Sequence, residues 1–293
     1  MNVLFHQAAL GDFALTFPLI RAMKGDTTVI APWQKAALAG ATFKHVQPLD
    51  IELFEFTRLY AEGGPTSISP AVADVFSQAT LIVSFVSRGD DVWASNVRRL
   101  APQARLAFAH TRPPADFHDH VTIFHREQLK HQGVELPNAR LKAWRHADGP
   151  VLLHPGSGGA GKIWPAERFA ELAQRLIARG LSVRFVLGEV EMENPSLAAE
   201  LGQAAEIVPC RTTLDLLDQL ESARLFVGND AGPTHLAAQL GLPTLALFGP
   251  TPPQVWRPVG PAVTVLAPPE PAAMDWLDVA RVAEAVEKIE HEA

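Results

Sequence analysis

The residues with the clearest chemical potential lie in a short polar turn between two apolar runs. The first run, Leu225 to Val227, stops at Gly228, and a helical stretch closed by Gly241 follows the turn. A helix that begins directly after a strand presents free backbone N–H groups, which favour an anion such as phosphate. An ordinary strand–helix turn with a capping aspartate is the alternative interpretation. The candidate anion-binding residues are Asn229, Asp230, Ala231, Gly232, Thr234 and His235.

A second candidate loop, P-G-S-G-G-A-G-K-I-W, lies between the apolar run at 151–154 and a helical stretch that begins at Pro165. Its glycines allow close approach of a ligand to the backbone, and Gly156 begins the series. Ser157 offers a hydroxyl and Lys162 a point charge. The loop is not a Walker A motif, because Ile163 stands where that motif needs Ser or Thr. A flexible loop without a ligand is the alternative.

Both loops follow predicted strands, so both are expected at the carboxyl edge of one parallel sheet. Doubly wound α/β proteins bind their ligands at that edge. Together the loops suit a diphosphate, with Lys162 supplying charge and with hydroxyls and backbone N–H groups facing the oxygens. Asp12, preceded by Gly11, occupies the corresponding turn after the first strand of the chain. It is either a helix N-cap or a general base that faces the diphosphate.

The elements that must position these residues repeat one pattern twice. Strands at 3–5, 28–30 and 43–46 alternate with helices, and the same order restarts at 151–154. The sequence therefore predicts an α/β protein with two Rossmann-like doubly wound domains that face each other across a cleft. We place these domains at residues 1–148 and 149–293, and we expect a final helix at 274–290 to pack back on the first domain.

Composition narrows the class of protein. The chain has 293 residues, of which 47% are hydrophobic and 19% charged, as in folded globular proteins. Its one cysteine, Cys210, excludes an internal disulfide and fits a reducing compartment. The N-terminus has no basic leader and no signal-like apolar core, and no apolar run approaches the ~20 residues of a membrane span. These features predict a cytoplasmic protein.

Charge is distributed unevenly along the chain. The net charge is −7, which gives no reason to expect a nucleic-acid partner, but residues 98–145 carry nine Lys and Arg against four Asp and Glu. We expect this segment to face an anionic acceptor or the cytoplasmic face of the inner membrane, with Arg98, Arg99 and Arg112 as candidate contacts. No His, Cys or carboxylate cluster has metal-site spacing, so neither a metal nor a bound cofactor is predicted.

Four motifs, in order, resemble the bacterial heptosyltransferase family, glycosyltransferase family nine. They are G-D-x-x-x-x-x-P at 11–18, H-P-G-S at 154–157, K-x-W-P at 162–165 and D-A-G-P-T-H-L-A-A at 230–238. The resemblance covers the second half of the chain and about its first 25 residues. It implies a GT-B arrangement and an inverting, metal-independent transfer of a sugar from a nucleotide diphosphate. In well-known members the donor is ADP-heptose and the acceptor is the anionic inner core of lipopolysaccharide.

The resemblance also implies residue roles. Asp12 would deprotonate the acceptor hydroxyl, and Lys162 would offset charge on the departing diphosphate. The residues that would bind the donor are Gly156, Ser157, Lys162, Asn229, Asp230, Ala231, Gly232, Thr234 and His235. The ADP-sugar would be a co-substrate, not a resident cofactor.

The chain departs from the family pattern at two places. Ala231 stands where members usually carry threonine, and the stretch F-H-Q-A-A-L before Gly11 lacks the basic residue that is common there. Two other functions stay open on the same fold. A nucleotide-sugar epimerase or hydrolase would release its nucleotide without an acceptor, and a non-catalytic paralogue would only bind the sugar nucleotide.

Overall fold

The computed structural model describes residues 1–292 of the chain. It divides into two compact units, Met1–Ala139 and Arg140–Ala293. The boundary between the units lies after residue 139, earlier in the chain than the predicted boundary at 148/149. The reason is that residues 144 and 146 form backbone hydrogen bonds with the second unit. The backbone N–H of Trp144 donates to Gly241 O at 3.1 Å, and that of His146 donates to Ala223 O at 2.9 Å.

Unit 1 is built from alternating strands and helices. Its strands are β1 (Asn2–Phe5), β2 (Thr27–Ala31), β3 (Val46–Asp50), β4 (Leu81–Ser84) and β5 (Arg105–Phe108). Its helices are α1 (Leu10–Ala14), α2 (Phe17–Ala22), α3 (Trp33–Thr42), α4 (Phe54–Thr57), α5 (Pro70–Gln78), α6 (Val92–Leu100) and α7 (Val121–His131).

The strands of unit 1 form one parallel sheet in the order β3-β2-β1-β4-β5. Central strand β1 is buried from Val3 onward, and the Phe5 ring packs edge-on against Trp93 of α6 at 4.9 Å between centroids. The chain reverses direction across the sheet between β1 and β4. Such a switch point, at the carboxyl ends of the strands, is where doubly wound sheets bind ligands.

Unit 2 continues the same alternation. Its strands are β6 (Val151–His154), β7 (Val183–Leu187), β8 (Glu206–Pro209), β9 (Leu225–Asn229), β10 (Thr244–Leu247) and β11 (Val263–Leu266). Its helices are α8 (Ala166–Ala178), α9 (Glu189–Met192), α10 (Pro195–Gly202), α11 (Thr213–Glu221), α12 (Gly232–Leu240), α13 (Pro253–Trp256) and α14 (Val279–Glu292).

The second sheet is also parallel, in the order β11-β10-β9-β6-β7-β8. Numbered from its own first strand, this order is 3-2-1-4-5-6 read from the β8 edge, the arrangement of dinucleotide-binding folds. The switch point lies between β6 and β9. The prediction of two Rossmann-like α/β domains is therefore confirmed for the fold of each unit.

Two predicted elements are wrong in their bounds. The third strand is Val46–Asp50 rather than 43–46, because Phe43 ends α3 and its carbonyl accepts from the Val46 N–H in a turn. Pro48 is tolerated in this strand since β3 lies at the sheet edge. The last helix is α14, and 274–276 is a separate 3₁₀ turn. Asp278 Oδ1 accepts from the Arg281 N–H at 2.8 Å, which fixes the start of α14.

Helix α14 packs against α8 and β11 within unit 2. Arg145 and Arg224 both pair with Glu290 near its C-terminal end. These contacts join the first and last segments of unit 2. No helix within residues 1–292 is long and apolar enough to cross a membrane.

Candidate functional site

The two candidate loops of unit 2 follow adjacent strands at the switch point of the second sheet. Strands β6 and β9 pair in register, with His154 opposite Gly228 at their carboxyl ends. Gly228 allows the following helix to come close, since a Cβ there would lie 2.7 Å from Thr234 Oγ1 and 2.8 Å from a carbon of the Phe226 ring. Sequence position and topology therefore bring the two predicted loops together, as expected.

Asn229 joins the two loops through its fully buried side chain. Its Nδ2 donates to Pro155 O at 2.7 Å, and its Oδ1 accepts from the Trp164 N–H at 3.1 Å. Both ends of the amide are thus committed to the backbone of the preceding loop. The side chain therefore holds the two loops together, and its contact with the donor stays a prediction.

Asp230 is the charged centre of the site. Lys162 Nζ donates to its Oδ2 across 2.7 Å, and His235 Nε2 lies 3.4 Å from its Oδ1. The Asp230 side chain is only 7% exposed, whereas that of Lys162 is 37% exposed. Burial by itself would raise the pKa of Asp230, but hydrogen bonds and positive charge from His235 and Lys162 outweigh it and lower the pKa. A carboxylate held ionised in this way fixes the Lys162 ammonium at the rim.

The two hydroxyls of the site are used within it. Ser157 Oγ donates to Asp230 O at 3.0 Å, and Thr234 Oγ1 donates to Asn229 O at 2.6 Å with its side chain fully buried. Each hydroxyl has one proton, so neither proton faces a ligand in this structure. Both hydroxyls stabilise the turn in this structure, and their contact with phosphate oxygens stays a prediction.

The start of α12 retains donors for an anion. Gly232 is the first helical residue, Pro233 follows it, and the N-cap position is Ala231, whose side chain makes no capping bond. The first N–H groups of a helix have no intrahelical acceptor and carry partial positive charge. Ala231 and Gly232 are both partly exposed. Pro233 has no N–H and the Thr234 N–H donates to Ala231 O at 3.1 Å, so the N–H of Gly232 is the donor that this helix start offers to an anion.

Glu191 belongs to the site, although no motif of the sequence predicted it. Its Oε2 accepts from the Gly188 N–H at 2.9 Å, and a Cβ on Gly156 would collide with its Oε1. It also influences buried His154, whose pKa is lowered by desolvation while the Glu191 charge opposes that shift. The sequence signal was the Gly188–Glu191 spacing typical of a helix N-terminus, where an acidic third residue bonds back to the cap.

The candidate residues of unit 1 lie at its own sheet edge. Asp12 is in the first turn of α1, next to Gly11, and the half-buried ammonium of Lys35 on α3 lies near enough for the two charges to interact. No group of three or more His, Cys, Asp or Glu side chains in the described part of the chain is arranged to hold a metal ion.

The predicted acceptor-binding arginines behave differently from one another. Arg98 donates to Gly89 O at 2.8 Å and lies over the Phe108 ring, and Arg99 donates to Gly63 O and Asn96 Oδ1. Both guanidinium groups thus brace loops of unit 1. Arg112 is exposed in the loop before α7. Of the three, Arg112 best fits the predicted role.

Comparison with known proteins agrees with the motifs. A family model for glycosyltransferase family 9 (heptosyltransferase) matches residues 103–279. Lipopolysaccharide heptosyltransferase 1 of Pseudomonas aeruginosa is 44% identical over 105 residues, which are 35% of this chain and 29% of that protein. Lipopolysaccharide heptosyltransferase 3 of Escherichia coli is 23% identical over 298 residues, 85% of this chain and 83% of that protein.

The fold also matches solved structures. The E. coli heptosyltransferase WaaC, solved with ADP, superposes with a TM-score of 0.71 at 19% identity, covering 99% of this chain and 100% of that one. The chain spans less than a third of the length of the first curated relatives that it matches, 29% and 32%. The family model covers more than half of the chain, residues 103–279.

Proposed function

The chain belongs to glycosyltransferase family 9, the heptosyltransferases, and we propose that it transfers heptose from ADP-heptose to a lipopolysaccharide-core acceptor. The observation that carries this proposal is the site at the β6/β9 switch point. There a fixed ammonium, Lys162, lies beside the uncapped start of α12. This arrangement supplies positive charge at the place where doubly wound folds bind nucleotides.

In the proposed reaction, charge develops on the leaving diphosphate. The acceptor hydroxyl gives its proton to the Asp12 carboxylate, and its oxygen forms a bond to the anomeric carbon of the sugar. The bond from that carbon to the diphosphate breaks, and ADP leaves with the electron pair. Lys162 and the N–H of Gly232 at the start of α12 stabilise the added negative charge, which is the main electrostatic contribution of such a site.

Asp230 has a positioning role in this proposal. A carboxylate in direct contact with a diphosphate would repel it, but Asp230 is 7% exposed and paired with Lys162 and His235. It holds the ammonium in one place, so less side-chain freedom is lost when the donor binds. The attack from the opposite side of the anomeric carbon makes the transfer inverting, and no step requires a metal.

The direct test is a transfer assay with ADP-heptose and heptose-free lipopolysaccharide core, with the product's anomeric configuration read by NMR. Asp12→Asn is expected to lower the rate ~10²- to 10⁴-fold, the range for a lost general base. Binding of ADP should survive in this variant, with its thermal shift retained. Asp26→Asn, an exposed aspartate of the same unit, is the matched control. Unchanged transfer by Asp12→Asn would remove Asp12 as the base.

The same assay separates the alternatives. An epimerase or hydrolase would release nucleotide in the absence of acceptor, and a non-catalytic binder would show a thermal shift with ADP but no turnover. ADP at a hundred times its Kd should stabilise the folded chain by about 2.7 kcal/mol, and UDP should stabilise it less. Loss of activity in EDTA, restored by a divalent ion, would contradict the metal-independent mechanism.

The proposed acceptor also indicates where in the cell the enzyme works. The acceptor is an anionic glycolipid, so we infer that the enzyme works at the cytoplasmic face of the inner membrane by peripheral contact. The basic segment 98–145 supports this, since exposed arginines are attracted to anionic surfaces. Flotation with vesicles of anionic and of neutral lipids tests it, and equal partition to both would contradict it.

A further inference from the structure

The turn after β1 contains a buried histidine whose ring has no hydrogen-bond partner. His6 is 0% exposed, and neither ring nitrogen has a partner among the described residues. Its ring packs 5.2 Å from that of Phe13 and 5.5 Å from that of Phe85, between centroids. Burial, then the charges of Lys35 and His125, lower the pKa of His6 to about 3. His6 is therefore neutral and adds no positive charge beside Asp12.

The rest of this turn carries no positive charge either. No Lys or Arg occurs between Met1 and Ile20. The next cation along the chain, Arg21, lies over the Phe43 ring at 5.4 Å from its centroid. Lys24 is exposed at the opposite edge of the sheet, where its carbonyl accepts from Asn2 at the start of β1. A cation for the Asp12 turn must come from another element.

Helix α3 brings Lys35 to that place. Strands β1 and β2 are neighbours, and the His6 N–H donates to Ile30 O at 3.0 Å, so both strands end at the same edge. Lys35 lies in the first turn of α3, directly after β2, with its N–H bonded to Pro32 O at 2.8 Å. Burial lowers the pKa of Lys35, and the Asp12 carboxylate opposes that shift.

We propose that Lys35 is the acceptor-side cation of this enzyme: it binds an anionic group of the acceptor, carboxylate or phosphate, beside the hydroxyl that Asp12 deprotonates. The inference rests on the proposed function and names a residue that the motifs did not. Half-exposed Lys35 offers an ammonium at the same sheet edge as Asp12, whereas buried, neutral His6 offers none. A charged hydrogen bond of this kind contributes about 1.5–3 kcal/mol to binding.

The test measures the kinetics of Lys35→Met against acceptor and donor separately. The acceptor KM is expected to rise ~10- to 100-fold, as the loss of one charged hydrogen bond implies, while the donor KM stays unchanged. Lys35→Arg should recover part of the acceptor affinity, and Lys24→Met should behave as wild type. The acceptor KM of wild type should also rise with salt more steeply than that of Lys35→Met.

Modified acceptors distinguish the two sources of the anionic group. If Lys35 binds a carboxylate, wild type and Lys35→Met should have the same KM for carboxyl-reduced acceptor. If it binds a phosphate, the two should instead have the same KM for dephosphorylated acceptor.

A fall in kcat with an unchanged acceptor KM would overturn the proposal, since Lys35 would then act only on Asp12. Should Lys35→Met fail to fold, Lys35→Gln takes its place, and an unchanged acceptor KM in that variant would overturn the proposal. Absence of transfer by wild type itself would instead contradict the proposed function.

Discussion

The turns after β1 and β9 each lie at the switch point of their own sheet, β1 as the first strand of unit 1 and β9 as the fourth strand of unit 2, and they are built differently. In the β9 turn, the buried polar groups Asn229 and Asp230 bond to the neighbouring loop. In the β1 turn, the buried polar side chain His6 has no partner within residues 1–292. The β9 turn is therefore preorganised before a ligand arrives. The β1 turn keeps a neutral histidine with an unpaired ring against Phe13, the residue after Asp12, and its cation comes from a neighbouring helix.

The largest effect expected in the β9 turn is on its cation. Lys162→Ala removes the ammonium that we propose stabilises the leaving diphosphate and should lower kcat/KM for transfer ~10²- to 10³-fold, as for other electrostatic contacts to a developing charge. Steady-state kinetics with ADP-heptose measure this. Lys130→Ala is the control, because its pair with Glu135, 3.9 Å apart with side chains 70% and 74% exposed, is a surface contact. Equal activity of the two variants would remove Lys162 from the mechanism.

Asn229 tests whether the β9 turn is held by its buried amide. Asn229→Ala leaves Pro155 O and the Trp164 N–H without partners in a buried place, and should lower the free energy of unfolding by about 2–4 kcal/mol. Urea unfolding followed by tryptophan fluorescence measures this. Asn194→Ala, which removes a side-chain cap from α10 at an exposed position, should cost only about 1 kcal/mol. If both variants lost the same stability, the amide bridge would not be what orders the turn.

The unpaired histidine of the β1 turn predicts acid sensitivity. The pKa of His6 is about 3 in the folded chain, against an ordinary value of 6.5, so the folded state binds fewer protons than the unfolded state below pH 6.5. The contribution of neutral His6 to the free energy of unfolding is fully present above pH 6.5 and is lost as the pH falls toward 3. Between pH 7.5 and 5.5 this amounts to about 1.4 kcal/mol. His6→Phe should remove that share of the loss, as measured by urea unfolding at both pH values.

A second buried histidine provides the comparison for this effect. His125 is also buried, with its pKa lowered to about 4 mainly by desolvation, so it should contribute a similar acid-dependent loss that persists in His6→Phe. An identical pH profile for His6→Phe and wild type would show that His6 is not buried as a neutral group.

The smallest expected effect concerns the exposed arginine of unit 1. Arg112→Glu should raise the acceptor KM several-fold at low salt, with the difference fading as salt screens the charge over about 10 Å at 0.1 M. Arg98 and Arg99 are poorer tests, since reversing them also breaks their bonds to Gly89 O and Gly63 O. A salt-independent acceptor KM in Arg112→Glu that equals the wild-type value would exclude this arginine from acceptor binding.

Local pattern was sufficient for much of the fold. The strand at 151–154 has the bounds that its apolar run and the turn residues predict, and the strands predicted at 3–5 and 28–30 lie within β1 and β2. The third strand was misplaced because Pro48 is unfavourable in a strand unless that strand is at an edge, and edge position depends on the whole sheet. The short helix α9, which carries Glu191, was not predicted, because four residues are too few to show a helical periodicity of apolar side chains.

The sequence by itself determined the fold class, the family and the two loops of the site, because these depend on residue types at fixed short spacing. The tertiary structure decided which groups within those loops face a ligand. Asn229 bonds to Trp164 from 65 positions away, and Asp230 pairs with Lys162 from 68. Lys35 reaches the edge where Asp12 lies because β2 pairs with β1. Hydrogen-bond partners so distant along the chain are set by strand order and packing, which no local pattern contains.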